Sequence, residues 1–81
     1  MTNDNIATGP IEWTEPNWTP LEGHIGAGCG EWMWMHRQNG LEYYKHRGTR
    51  RYIALDAAGN AYGLKGRMDF RTAYAAATET N

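Results

Sequence analysis

From residue 31 the chain alternates along its length with a period of two, and turn residues interrupt the pattern at short intervals. Residues 31–37, EWMWMHR, interleave two tryptophans with two methionines. Neighbouring side chains of a strand point to opposite faces, so Trp32 and Trp34 share one face and Met33 and Met35 the other. Asn39-Gly40 follows between two alternating runs, the residue pair favoured in a two-residue hairpin turn. That turn sets Trp34 opposite Lys45, Trp32 opposite Arg47 and Arg37 opposite Glu42. The result is two cation–π pairs and one opposite-charge pair. Gly48-Thr49 supplies a second turn, which places Tyr44 beside Ile53, Lys45 beside Tyr52 and Arg47 beside Arg50. Residues 56–60, DAAGN, make a third turn into a short strand, AYGLK. In the register that completes an apolar face, Tyr62 and Leu64 lie beside Leu55 and Ile53.

The last segment, residues 68–81, changes period. It is alanine-rich, and Phe70, Ala73, Tyr74 and Ala77 fall on one helical stripe. Such a stripe is ordinarily core and needs a sheet face to cover. Residues 1–30 hold all three prolines and no sustained period, which predicts an irregular arm with the echo WTEP and WTP around Trp13 and Trp18. The pattern therefore predicts an α+β fold. It comprises a three- to four-stranded antiparallel meander with one C-terminal helix over residues 31–81, preceded by an irregular acidic Pro/Gly-rich arm over 1–30. This order of elements, over residues 31–77, is similar to that of the plant AP2 and integrase arm-type DNA-binding domains. The likeness implies a nucleic-acid partner.

Composition narrows the function classes. The chain has 81 residues, enough for one domain with a limited core. One cysteine, Cys29, rules out an internal disulfide and fits a reducing compartment. No basic-then-apolar leader pattern and no long apolar run occur, which predicts a cytoplasmic protein without a membrane partner. Charge is divided along the chain. Residues 1–31 carry five acids and no Lys or Arg, whereas residues 32–81 carry all eight bases and four acids. Such a division suits an acidic arm folded over a basic surface, or a polyanion partner. It also fits an ordinary solvated surface.

Catalytic and metal chemistry find little support. His24, Cys29, His36 and His46 match no zinc spacing. Cys29 lies in the glycine run GHIGAGCG, which lacks both phosphate-loop and dinucleotide fingerprints and reads as a connector. The expectation is a non-enzymatic protein with no cofactor, no metal and no catalytic residue.

The predicted sheet has one aliphatic face, suited to the helix, and one face carrying Trp32, Trp34, Tyr43 and Tyr52 among His36, Lys45, Arg47 and Arg50. Rings offer stacking surfaces for bases, and lysine and arginine neutralise phosphates. KHRGTRR, residues 45–51, is the densest basic stretch. The candidate binding residues are Trp32, Trp34, Tyr43, Lys45, Arg47, Arg50, Arg51 and Tyr52. The arm is expected to cover the tryptophans only in part and to pair its glutamates with the basic tip. Two readings follow: a nucleic-acid-binding module, DNA or RNA, or a protein-binding inhibitor or adaptor of the anti-defence type that phage and mobile elements supply. In the second, a host protein complex is the partner and the same aromatic surface is the interface.

Overall fold

The computed structural model describes residues 10–79. Six strands form one antiparallel meander in the order β1 to β6: Ile11–Glu12, Trp32–Gln38, Leu41–His46, Tyr52–Leu55, Ala61–Gly63 and Gly66–Met68. Helix α1 (Thr19–Ile25) and a 3-10 helix (Gly26–Glu31) lie between β1 and β2, and α2 (Phe70–Thr78) follows β6. The expectation of three to four strands, one helix and an irregular arm is thereby corrected to six strands and two helices. The likeness of element order to the AP2 and integrase domains weakens accordingly, since it included neither α1 nor the two extra strands.

The arm escapes a period-based reading for a physical reason. Helix α1 has seven residues, under two turns, and contains Pro20 and Gly23. So short a helix is held by packing rather than by propensity. Leu21 is fully buried, and Trp18 and Ile25 pack on the same core. The Tyr44 hydroxyl donates to the Asn17 carbonyl at 2.6 Å, tying the approach to α1 onto β3. The segment 17–25 is therefore joined to the core and is not a detachable cover.

The Asn39-Gly40 turn forms as its residues demand, with φ of 55° and 76°. It sets Arg37 opposite Glu42 and Gln38 opposite Leu41. Beyond His36 the register shifts through a β-bulge between Trp34 and His36, so that Trp34 pairs with Tyr44, Met33 with Lys45 and Trp32 with His46. One inserted residue reverses the facing of every side chain before it. Trp32 and Trp34 thus turn to the face covered by both helices. Trp32 is 1 % exposed, in one cluster with Leu21, Tyr44, Ile53, Leu55, Ala73 and Ala77. The expectation that both tryptophans are only partly covered is corrected for Trp32, which the core buries; Trp34 shares its face but is partly buried. Burying an indole that size gives far more stabilisation than burying a methionine at the same site.

The β3–β4 register matches the sequence, Tyr44 with Ile53 and Lys45 with Tyr52. The connection, however, is a wider loop. His46 N–H donates to Arg51 O and Arg50 N–H to His46 O, each at 2.8 Å. Arg47 and Arg50 are therefore loop residues, not a facing strand pair, and Arg50 adopts φ 69°. On β5 the register differs by one from expectation, Ala54 with Tyr62 and Leu55 with Ala61. Tyr62 joins the face away from the helices, and Leu64, in the β5–β6 turn, is 71 % exposed.

Helix α2 begins where the stripe predicts. Asp69 caps it, accepting from Thr72 N–H at 3.1 Å. Ala73 and Ala77 are buried, and Phe70 and Tyr74 pack beside them. Phe70 stacks on His24 of α1 at 3.7 Å between ring centroids, which fastens the two helices together.

Candidate functional site

Charge is handled differently at the two ends of β3. Near its start, the buried Glu42 carboxylate accepts from Trp34 Nε1 at 2.7 Å, Arg37 Nε at 2.6 Å and Asn17 Nδ2 at 3.2 Å. Arg37 also stands 3.9 Å from Glu12. The hydrogen bond to Glu42 pushes the Arg37 guanidinium above its ordinary value. Burial, reinforced by the Glu42 charge, raises the Tyr44 phenol. This network closes on itself, and the indole N–H of Trp34 is committed to it.

The other end of β3 carries Lys45, Arg47, Arg50 and Arg51. None of the four makes an ion pair among the described residues; the pairs there belong to Arg37. The guanidinium groups of the three arginines bond to backbone carbonyls instead. Arg47 Nε donates to Gly30 O at 3.1 Å, Arg50 Nε to Arg47 O at 3.2 Å, and Arg51 Nη1 to Ala76 O at 2.7 Å. The loop backbone is clamped on both flanks. Arg47 N–H donates to Glu31 O at 2.9 Å, the end of the 3-10 helix, and Thr49 Oγ1 donates to Ala77 O, near the end of α2. Inside the loop His46 Nδ1 accepts from Thr49 N–H at 3.2 Å. The His46 ring meets buried Trp32 edge-on, with centroids 4.8 Å apart. The core thus reaches the loop through one histidine.

The predicted binding residues now separate. Lys45, Arg47, Arg50, Arg51 and Tyr52 gather at the β3–β4 end. Lys45 Nζ lies 5.7 Å from the centre of the Tyr52 ring, which is 47 % exposed. This cation–π contact replaces those expected at the two tryptophans. Tyr43 lies on the same face but is buried, stacked on His36 at 4.7 Å and packed with Leu41 and Ala54. Trp32 and Trp34 lie on the opposite face.

Several residues enter the surface without having been singled out as binding residues. Pairing puts Met33, His36, Gln38, Leu41, Tyr43, Lys45, Tyr52, Ala54, Tyr62 and Arg67 on the face away from the helices, and none of these strand positions is acidic. Tyr62 and Arg67 were hidden by the β5 register and by a strand, β6, too short to show a period. Trp13 is 74 % exposed and lies 5.7 Å from His36. The glutamates expected on the basic tip are elsewhere: Glu12 pairs with Arg37, and Glu15 and Glu22 are exposed and, among the described residues, make no ion pair with the loop cations. Glu79 shares a cavity wall with Arg51 without pairing to it.

Other polar clusters are engaged in holding the fold. A cavity of about 430 Å³ between α1 and α2 is lined by His24, Asn60, Arg67 and Asp69. Within it His24 Nε2 bonds Gly59 O at 2.7 Å and Arg67 donates to Asn60 Oδ1 at 3.1 Å. Burial pushes the Asp56 carboxyl up, but hydrogen bonds from Asn60, Tyr62 and Ala58 outweigh it and leave its pKa lowered. Burial, with the Glu22 charge, raises the Cys29 thiol, so it is a poor nucleophile. No group of His, Cys, Asp and Glu suited to a metal ion occurs among the described residues. No helix among them is long and apolar enough to cross a membrane. Compared with family models, curated proteins and solved structures, the chain matches none.

Proposed function

We propose that this protein is a small, non-enzymatic, cytoplasmic module that binds nucleic acid through the β3–β4 loop and the adjoining Lys45–Tyr52 corner of the sheet. The observation that carries this reading is the set of four cations, at 45, 47, 50 and 51, without a carboxylate partner among the described residues. Hydrogen bonds to carbonyls hold the arginines in place without a carboxylate partner among the described residues. A phosphate backbone supplies the opposite charge and releases its counterions on binding.

The test is a titration of labelled oligonucleotides at several salt concentrations. If all four cations contact a single strand, log affinity should fall against log salt with a slope of about −3. Absence of binding at low salt would overturn the reading. The second reading, a protein-binding adaptor, draws on Trp13 and Ile11, 74 % and 43 % exposed at the β1 edge. Its interface would be anchored by an aromatic residue and depend little on salt. Trp13→Ala would then abolish partner binding, and the loop arginines would be dispensable.

A further inference from the structure

The ladder between β4 and β5 ends at Ala54–Tyr62, so Tyr52 and Ile53 run on without a partner from β5. Beyond Gly63 the chain turns back into β6 instead. Where β4 outruns β5 a cavity of about 210 Å³ opens, lined by Tyr52, Tyr62, Met68, Ala76 and Arg51 among others. Its walls are largely apolar and aromatic, whereas the loop beside it is cationic. Arg51 lines the cavity while its Nη1 is held 2.7 Å from Ala76 O. Arg50, on the loop, is exposed and bonded to Arg47 O.

We propose that this corner takes an unpaired nucleotide: one base lies against Tyr52 in the cavity, and the flanking phosphates sit on Arg51 and Arg50. The proposal rests on the nucleic-acid reading above and narrows it to single strands. A flat ring needs an apolar slot with an aromatic wall, and stacking of this kind accepts any base. A duplex keeps its bases stacked and offers this corner only phosphates. The loop arginines, tied back to carbonyls at Gly30, Arg47 and Ala76, hold their charges at the loop surface, which suits backbone contact rather than readout of base edges.

The experiment compares the intact protein with Tyr52→Leu, Tyr52→Phe and Ala76→Leu, each checked by thermal melting. Probes are labelled oligo-dT, oligo-U and a mixed-sequence duplex. Tyr52→Leu removes the ring, and Ala76→Leu fills the cavity from the exposed side of α2. Both should weaken single-strand binding about ten-fold and leave duplex binding within about two-fold. Tyr52→Phe should keep single-strand affinity. Tight binding of either single strand supports the proposal. If Tyr52→Leu and Ala76→Leu leave single-strand affinity unchanged while Arg50→Gln and Arg51→Gln lower it, the unpaired-base proposal is overturned and phosphate binding stands. If no probe binds even at low salt, the nucleic-acid reading itself fails and the proposal with it.

Discussion

The start and the end of β3 place positive charge in opposite settings. At the start, Arg37 is bound to a buried carboxylate that Trp34 and Asn17 also feed. At the end, three arginines are bound to carbonyl oxygens, which orient them without cancelling their charge. Removing one partner of an ion pair whose acid is buried strands the other and destabilises the fold. Cations held by carbonyls keep their charge at the surface, where the proposed function uses it. The first arrangement is architecture, and the second is the surface to which function is assigned.

The strongest break of this comparison removes the element both ends depend on. Deletion through residue 22 takes away Leu21 and the Asn17 contacts to Tyr44 and Glu42. It should abolish cooperative unfolding in a urea melt. Retention of a sharp transition would show that α1 is dispensable. Trp32→Ala should cost about 3–5 kcal/mol by opening a cavity beneath the loop. A change near zero in the same melt would contradict its burial.

Glu42→Ala tests the first setting. It leaves Trp34 Nε1 and the Arg37 guanidinium without their acceptor and should cost about 3 kcal/mol. The folded fraction should bind oligonucleotide as before. The second setting is tested by Arg50→Gln with Arg51→Gln. Stability should change by about 0.5 kcal/mol or less per site, as at ordinary surface positions. The salt slope of single-strand binding should shrink by about 0.7 for each lost phosphate contact. Loss of stability without loss of binding would reverse the two roles.

The smallest effect is a dependence on alkaline pH. The Tyr44 phenol is raised in the folded state by burial and by the Glu42 charge. Its contribution is therefore complete below the unfolded value of about 10 and is lost as pH rises beyond it. A melt series should show stability falling as pH rises past that value, and Tyr44→Phe should flatten this alkaline decline.

Turns and periods were legible in the residues themselves. Asn39-Gly40 set the Arg37–Glu42 pairing because a tight turn with two positive φ values admits one register. Phe70, Ala73, Tyr74 and Ala77 placed the covering stripe of α2 because four-residue spacing returns to one helix face. The basic stretch at residues 45–51 and its Tyr52 neighbour were equally plain. Facing was another matter. The bulge between Trp34 and His36 carries no sequence mark, yet it moves both tryptophans to the face the helices cover and buries Trp32. Helix α1 is too short to show a period, and β6 has three residues. A local pattern fixes spacing along a strand, but which face is buried depends on the total apolar area that α1 and α2 can cover. That sum exists only once the chain has closed on itself.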